Sequence, residues 1–357
     1  MQQHGGAESP GVYWGDLTIP PAITLVSSPP MKILIFVTWQ VKAWSIPDAT
    51  VDALRAGFPD IEFVQAHTPE EALERIVDAD AALASRLTPE MVAAAPHLRW
   101  VHSSAVNVIG LLPTDELAAR GIVVSNSRGI QGVPIAETVM AGLLVLGRRF
   151  DRMIEAQRER RWIQNALFDD LPTVQSGKRM AIIGLGGIGL AIAKRAHAFD
   201  MTVVGVRRNP DRPTPSTVAQ VYAVDQLHDA ITGADVLVIA APSGSATERM
   251  IGARELALLN PGAVVVNVAR ASIVDEPALI DALERGALGG AVLDVFMNEP
   301  LDPAHPYWGM PNVLMTPHAS GFNARHWDYL LALYAENVER FRAGDGLRHV
   351  VDLQARY

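Results

Sequence analysis

From Met31 onward, short runs of aliphatic and β-branched residues alternate with longer stretches whose apolar positions recur at helical spacing. Runs that are apolar on both faces suit strands of a parallel sheet covered by helices on each side. The pattern predicts strands at 32–38, 61–65, 81–84, 98–103 and 122–125, with helices beginning near Pro47, Pro69, Pro89 and Asn107. Proline fits the first helical position because that N–H has no intrahelical partner, which supports three of the four starts. A second series predicts strands at 179–183, 202–206, 235–240, 263–268, 290–294 and 313–316. The fold class is therefore α/β, with two doubly wound parallel-sheet domains in succession.

Between the two series a helix is predicted over 133–149, and its stretch from Val139 to Leu146 is apolar on every side. Such a helix is buried all round, either in the core of its own chain or with one side against a second copy. The second arrangement is preferred, so a homodimer is expected. The last segment, 323–342, is amphipathic, with Tyr329, Leu333, Val338 and Phe341 placed to face a core, and is expected to fold back onto the first domain. Residues 1–30 carry five prolines and no periodic pattern, and have neither a basic-then-apolar leader nor an Arg-rich amphipathic stretch. They read as a flexible extension ahead of a domain that starts at Met31. The expected division is 1–30 extension, 31–127 first domain, 128–318 second domain and 319–357 returning segment.

Composition narrows what these domains can do. The longest run of apolar residues and glycine, 180–193, is shorter than the roughly 20 residues that cross a bilayer, so no membrane partner is expected. A net charge of −9 has the wrong sign for coating nucleic acid. The chain has no cysteine, which excludes disulfides, thiolate catalysis and cysteine-held metals, and fits a reducing cytoplasm as the expected location. Its ten histidines are scattered without a helical ligand pair, so no metal is expected.

Residues 179–189 read Arg-Met-Ala-Ile-Ile-Gly-Leu-Gly-Gly-Ile-Gly, which sets Gly184, Gly186 and Gly189 in GxGxxG spacing between a strand and a helix. Gly184 permits a tight turn, Gly186 allows close approach of a pyrophosphate, and Gly189 lets helix and strand pack; Gly187 and Ile188 open the helix, whose free N–H groups face the anion. A dinucleotide site is expected. An NAD-selective site carries an acidic residue at the end of the next strand, whereas this chain has Arg207 and Arg208 there. Guanidinium groups suit a ribose 2′-phosphate, so NADP is the expected cofactor and NAD the second choice.

Arg270, Glu299 and His318 each follow a predicted strand of the second series. Ligands of open α/β sheets lie outside the carboxyl ends of strands, so three connections can bring these side chains to one place. Their settings are Asn267-Val268-Ala269-Arg270, Asp294-Val295-Phe296-Met297-Asn298-Glu299-Pro300 and Thr316-Pro317-His318. With Ile135-Ala136-Glu137, Trp162, Pro306-Tyr307-Trp308 and Val350-Val351-Asp352, the chain from about Met31 to Tyr357 resembles the D-isomer-specific 2-hydroxyacid dehydrogenases. Within that family it looks most like the NADP-using glyoxylate and hydroxypyruvate reductases.

The resemblance implies a Rossmann cofactor domain, a flavodoxin-like substrate domain and hydride transfer between a nicotinamide and a small 2-keto acid. It implies that Arg270 binds the carboxylate and keto oxygen, that His318 exchanges the proton, and that Glu299 orients the imidazole. It also places Asp294 and the Ala269 carbonyl near the nicotinamide carboxamide, and Pro242 and Thr247 along cofactor loops. Ser104, Ala105 and Val106 fall in the loop whose N–H groups hold the substrate carboxylate. There the chain reads Ala105-Val106-Asn107 where many members have Gly-Val-Asp, and alanine lacks glycine's access to positive φ. Two other readings keep the fold: a dehydrogenase of a phosphorylated hydroxy acid or small oxyanion, and a nucleotide-sensing binding protein of corepressor type.

Overall fold

The computed structural model describes residues 30–353, so the extension expected over 1–30 lies, Pro30 apart, outside the described residues. Contacts divide the described chain into two units, 30–128 with 325–353, and 129–324.

In the first unit β1 (Lys32–Phe36), α1 (Asp48–Gly57), β2 (Glu62–Gln65), α2 (Pro69–Arg75), β3 (Ala81–Ala84), α3 (Pro89–Ala94), β4 (Trp100–Ser103), α4 (Thr114–Ala119) and β5 (Val123–Asn126) follow one another. The five strands are parallel in the order β2-β1-β3-β4-β5, which is the flavodoxin-like arrangement. Thr68 and Thr88 cap α2 and α3 by accepting from the Glu71 and Met91 N–H groups at 3.2 Å, each with proline at the first helical position. No helix begins at Asn107. Its side-chain oxygen instead accepts from the Ile109 N–H at 3.1 Å, a local turn that competes with helix, and α4 starts after Pro113.

The second unit runs α5 (Gly132–Arg148), α6 (Phe150–Arg158), β6 (Arg179–Ile183), α7 (Gly187–Ala198), β7 (Thr202–Val206), β8 (Gln220–Tyr222), α8 (Leu227–Ile231), β9 (Val236–Ile239), α9 (Ala253–Leu256), β10 (Ala263–Asn267), α10 (Glu276–Glu284), β11 (Leu288–Leu293) and β12 (Val313–Met315). Its parallel sheet has the order β12-β11-β10-β9-β6-β7-β8. Counted from β6, the order is that of a Rossmann sheet with one strand added beyond β11. The three-residue edge strand β8 carries no periodic signal, which is why the pattern of apolar positions does not predict it.

Helix α5 is not buried all round within the chain. Ile135, Ala136, Val139, Met140, Leu143 and Leu146 pack into the core, while Glu137 and Ala141 are exposed and Leu144 and Val145 half-buried. Gly142 brings the helix onto the sheet, because a Cβ there would lie 2.7 Å from Val292 Cγ1. Arg149, at φ 58°, ends α5 where the expected 133–149 helix ends, and a second helix, α6, follows that was not expected. The segment after that break is unusually apolar at its surface, with Trp162 90% exposed, Phe168 66% and Leu171 65%.

The chain rejoins the first unit at 325 rather than 319, because residues 319 and 320 are bonded to Asp294 and Ser320 also accepts from Thr138 at 3.3 Å. Helix α11 (His326–Ala343) then covers the sheet, burying Leu330, Leu333, Tyr334, Asn337 and Val338. Tyr334 stacks on Trp100 with ring centroids 5.3 Å apart, and Phe341 lies 5.1 Å from the same ring, whereas Tyr329 stays half-buried. Among the described residues no helix is long and apolar enough to cross a membrane.

Candidate active site

The glycine-rich turn leaves β6 where its neighbours on the two sides diverge, β7 on one and β9 on the other. Gly184 adopts φ 97°, donates its N–H to Val206 O at 2.9 Å, and sits so close to β9 that a Cβ would lie 2.7 Å from Ala240 O. A Cβ on Gly189 would overlap the Gly184 carbonyl oxygen. Gly186 is different, since a Cβ there would meet nothing within 4 Å. The first α7 bond runs from Leu190 N–H to Gly186 O at 2.9 Å, which leaves the N–H groups of Gly187, Ile188 and Gly189 without helical partners. Open space in front of three free donors at the positive end of a helix fits a pyrophosphate.

At the end of β7 the two arginines part. The Arg207 guanidinium turns into its own loop, with Nη2 3.1 Å from Pro210 O, 2.7 Å from Thr214 Oγ1 and in contact with Arg212 O. Arg208 is exposed. After β9, Pro242 and Thr247 close one turn, in which Thr247 Oγ1 accepts from Gly244 N–H at 2.9 Å and lies 3.1 Å from Pro242 O.

Arg270 follows β10 on a turn built by the buried Asn267. The Asn267 side chain donates to Arg270 O at 3.0 Å and accepts from Ala269 N–H at 3.1 Å, while Arg270 Nη1 donates to Ala269 O at 2.7 Å. Glu299 lies beyond β11, where its Oε1 accepts from Phe296 N–H at 3.0 Å and its Oε2 pairs with His318 Nδ1 at 2.7 Å. Both side chains of the pair keep solvent access, 36% and 49%. Burial alone would raise the Glu299 carboxyl pKa, but the bonds from His318 and Phe296 and the charge of Arg270 outweigh it and hold the group below its ordinary value.

Asp294 is 3% exposed and spends its carboxylate on the segment that carries His318. Oδ1 accepts from Thr316 Oγ1 at 2.6 Å, Ala319 N–H at 2.9 Å and Ser320 N–H at 3.0 Å, and Oδ2 accepts from Ser320 Oγ. Asn267, Thr316 and Ser320 are absent from the residues singled out by sequence. An asparagine ending a strand two and three residues before Ala269 and Arg270 is the available signal, since its side chain reaches its own backbone two residues on.

In the first unit the loop after β4 takes none of its residues 103–107 to positive φ, so Ala105 sits in a conformation open to any L-residue. Ser104 N–H donates to Ala84 O at 3.1 Å and Ala105 N–H to Ser103 Oγ at 3.2 Å. Among the described residues, the Val106 and Asn107 N–H groups have no acceptor. No three His, Asp or Glu side chains among the described residues gather as a metal site.

Residues 140–320 match the family model described as D-isomer specific 2-hydroxyacid dehydrogenase, NAD binding domain. The chain belongs to that family. The glyoxylate reductase of Thermococcus gammatolerans is 32% identical over 326 residues, 88% of this chain and 94% of that protein. A D-isomer specific 2-hydroxyacid dehydrogenase family protein of Aeromonas salmonicida, 31% identical, superposes with a TM-score of 0.74 over 91% of this chain and 99% of its own. The D-isomer specific 2-hydroxyacid dehydrogenase of Xanthobacter autotrophicus Py2, solved with NADPH and MES, is 27% identical with a TM-score of 0.73 over 92% of this chain and 100% of its own. This dehydrogenase is accordingly an oxidoreductase that uses NAD(P).

The open space at Gly186 makes a separable test. Gly186→Ala is expected to change unfolding free energy by no more than about 0.5 kcal/mol, because the added methyl meets nothing in the free protein. Dinucleotide affinity, read by fluorescence titration, is expected to fall at least tenfold, about 1.4 kcal/mol. Unchanged affinity would show that the phosphates do not occupy this space.

Proposed function

We propose that this dehydrogenase reduces a small 2-keto acid, glyoxylate or hydroxypyruvate, to the D-2-hydroxy acid with NADPH, and that it does so as a homodimer. The 2.7 Å pair of His318 Nδ1 and Glu299 Oε2, with the Arg270 charge acting on the same carboxylate, is the observation that carries the reading.

Bound NADPH supplies the hydride. The chain must supply a proton for the keto oxygen and a hold on the negative charge that grows there. His318 uses Nδ1–H to bond Glu299, which leaves Nε2 to donate its proton to the keto oxygen and to take it back in the reverse direction. Glu299, kept ionised to lower pH than an ordinary glutamate, remains an acceptor for Nδ1–H and fixes the ring. Arg270 presents a planar fork that suits carboxylate and keto oxygen together and stabilises developing charge. The free N–H groups of Val106 and Asn107 in the 103–107 loop are assigned to the substrate carboxylate.

For the cofactor, the exposed Arg208 is the residue assigned to the ribose 2′-phosphate, while the Arg207 fork holds the loop at Pro210, Arg212 and Thr214. The NADPH held by the Xanthobacter relative supports that reading. The exposed apolar side chains Trp162, Phe168 and Leu171 are assigned to contact with a second copy.

Purified protein should oxidise NADPH with glyoxylate or hydroxypyruvate, followed at 340 nm. Arg208→Ala should raise the KM for NADPH by roughly tenfold to a hundredfold, the loss of a charge-assisted hydrogen bond, and leave the NADH value alone. A wild type that prefers NADH would overturn the cofactor assignment and leave His318 and Arg270 untouched.

Glu299→Gln tests the proton step. The amide keeps an oxygen for Nδ1–H but no charge, and can turn its own N–H groups toward the ring, so kcat should fall about tenfold or more with NADPH affinity unchanged. An unaltered kcat would mean that Glu299 does not orient the imidazole.

Sedimentation should give twice the chain mass, and Trp162→Asp combined with Phe168→Asp should give monomer. A wild-type monomer at micromolar concentration would end the dimer reading.

A further inference from the structure

Beside the 103–107 loop, the first unit buries a row of polar side chains that no step above uses. Parallel pairing sets His102 opposite Ser125 and Ser103 opposite Asn126, so Trp100, His102, Ser125 and Ser127 emerge on one face, beneath α11. His102, Ser103, Ser125 and Ser127 are 0% exposed, and Asn126 is 2%.

The donors and acceptors of this row can be assigned without ambiguity. Ser127 Oγ lies 2.9 Å from Ser103 O, which can only accept, so the Ser127 proton points there. His102 Nε2, 3.3 Å from Ser127 Oγ, must then donate. A histidine buried between Trp100 and Tyr334 is neutral, and burial, followed by the charge of His349, pulls its pKa down to about 3. Nδ1 of a neutral ring that carries its proton on Nε2 is an acceptor, so Ser125 Oγ, at 2.8 Å, donates to it. Ser125 Oγ in turn accepts the Trp100 Nε1–H at 2.9 Å. Every proton points the same way, from Trp100 through Ser125, His102 and Ser127 to the Ser103 carbonyl at the root of the loop.

A second tie fixes the far end of the loop. Asn126 Nδ2 donates to Val106 O at 2.6 Å, and Ser127 N–H reaches Ala105 O at 3.5 Å. The loop carbonyls are thereby drawn toward β5, and the Val106 and Asn107 N–H groups are the ones left without acceptors.

We propose that this directed row of hydrogen bonds, together with Asn126, sets the shape of the loop that receives the substrate carboxylate, which makes His102, Asn126 and Ser127 positioning residues for substrate binding. The inference rests on the assignment of that loop to the carboxylate. Removing a tie should loosen substrate binding while leaving cofactor binding and the hydride step intact.

The test uses the full chain with NADPH and glyoxylate. Ser127→Ala is expected to raise the KM for glyoxylate about tenfold, with kcat within about twofold and NADPH affinity unchanged. Hydrogen exchange at the bonded N–H groups of Ser104 and Ala105 should quicken, while that of Gly184 stays protected. Asn126→Ala, which cuts an independent bond, should act in the same direction, and Ser127→Thr, which keeps the hydroxyl, should restore the wild-type KM. A lowered Tm with unchanged KM in both alanine variants would overturn the proposal and leave these residues a structural role alone. If the wild type reduces no keto acid, the functional reading fails by itself. Exchange at Ser104 and Ala105 then decides this inference: faster exchange in Ser127→Ala supports it, and unaltered exchange overturns it.

Discussion

The buried Asp294 carboxylate is the interaction on which the placement of His318, and so the proposed catalytic arrangement, depends. His318 is held at φ 51°, a left-handed conformation that costs an ordinary residue of order 1–3 kcal/mol. Two hydroxyls and two N–H groups from Thr316, Ala319 and Ser320 converge on Asp294, and they fasten the chain on both sides of His318. A carboxylate withdrawn from water is expensive unless all its lone pairs are used, and this one accepts four hydrogen bonds. Its desolvation and the strain at His318 are therefore offset by the same contacts. The imidazole can then meet Glu299 at 2.7 Å although neither partner is buried.

The same economy of position governs the glycine-rich turn. β6 has β7 on one side and β9 on the other, and the next crossover must pass between chains that run closer than a side chain allows. Gly184 and Gly189 are demanded by backbone overlap, with each other and with Ala240, so they would be required even without a ligand. Gly186 is not demanded by anything inside the protein, which is why it speaks for a ligand and Gly184 and Gly189 do not. The GxGxxG spacing thus combines two structural glycines with one whose reason lies outside the chain.

These distinctions mark what sequence could and could not show. Strand runs such as 179–183 and 202–206 were legible, because after a polar first residue, Arg179 or Thr202, every position is apolar or glycine and buried on both faces. Arg270, Glu299 and His318 were legible as residues that follow strands, although nothing in their spacing shows that Glu299 meets His318 while Arg270 acts on it from a distance. The helix expected at Asn107 was not legible as a turn, since an asparagine can cap a helix or close a turn with the same hydrogen bond. Helix α5 reads as apolar on every side, yet one chain covers only one side of it, because periodicity reports what must be hidden and not which molecule hides it. Arg207 and Arg208 are chemically identical in the sequence, and only the path of the 210–214 loop separates a side chain spent internally from its exposed neighbour.

One device recurs in both units. Asn126 ends β5 and Asn267 ends β10, each 2% exposed, and each side chain donates to a carbonyl of a functional turn while accepting an N–H two residues further along its own chain. Where a parallel strand ends, the ladder stops supplying partners, and the backbone beyond it must find others or face water. Asparagine meets that need with one donor and one acceptor on a short stem. An aspartate there would set a negative oxygen against a carbonyl oxygen, and a serine would not reach both groups. The cost of burying an amide is thus covered by backbone groups that would otherwise be unpaired. The turns so held, 103–106 in the first unit and 267–270 in the second, carry residues given proposed roles, and within each unit those residues rest on a strand end rather than on a flexible surface loop.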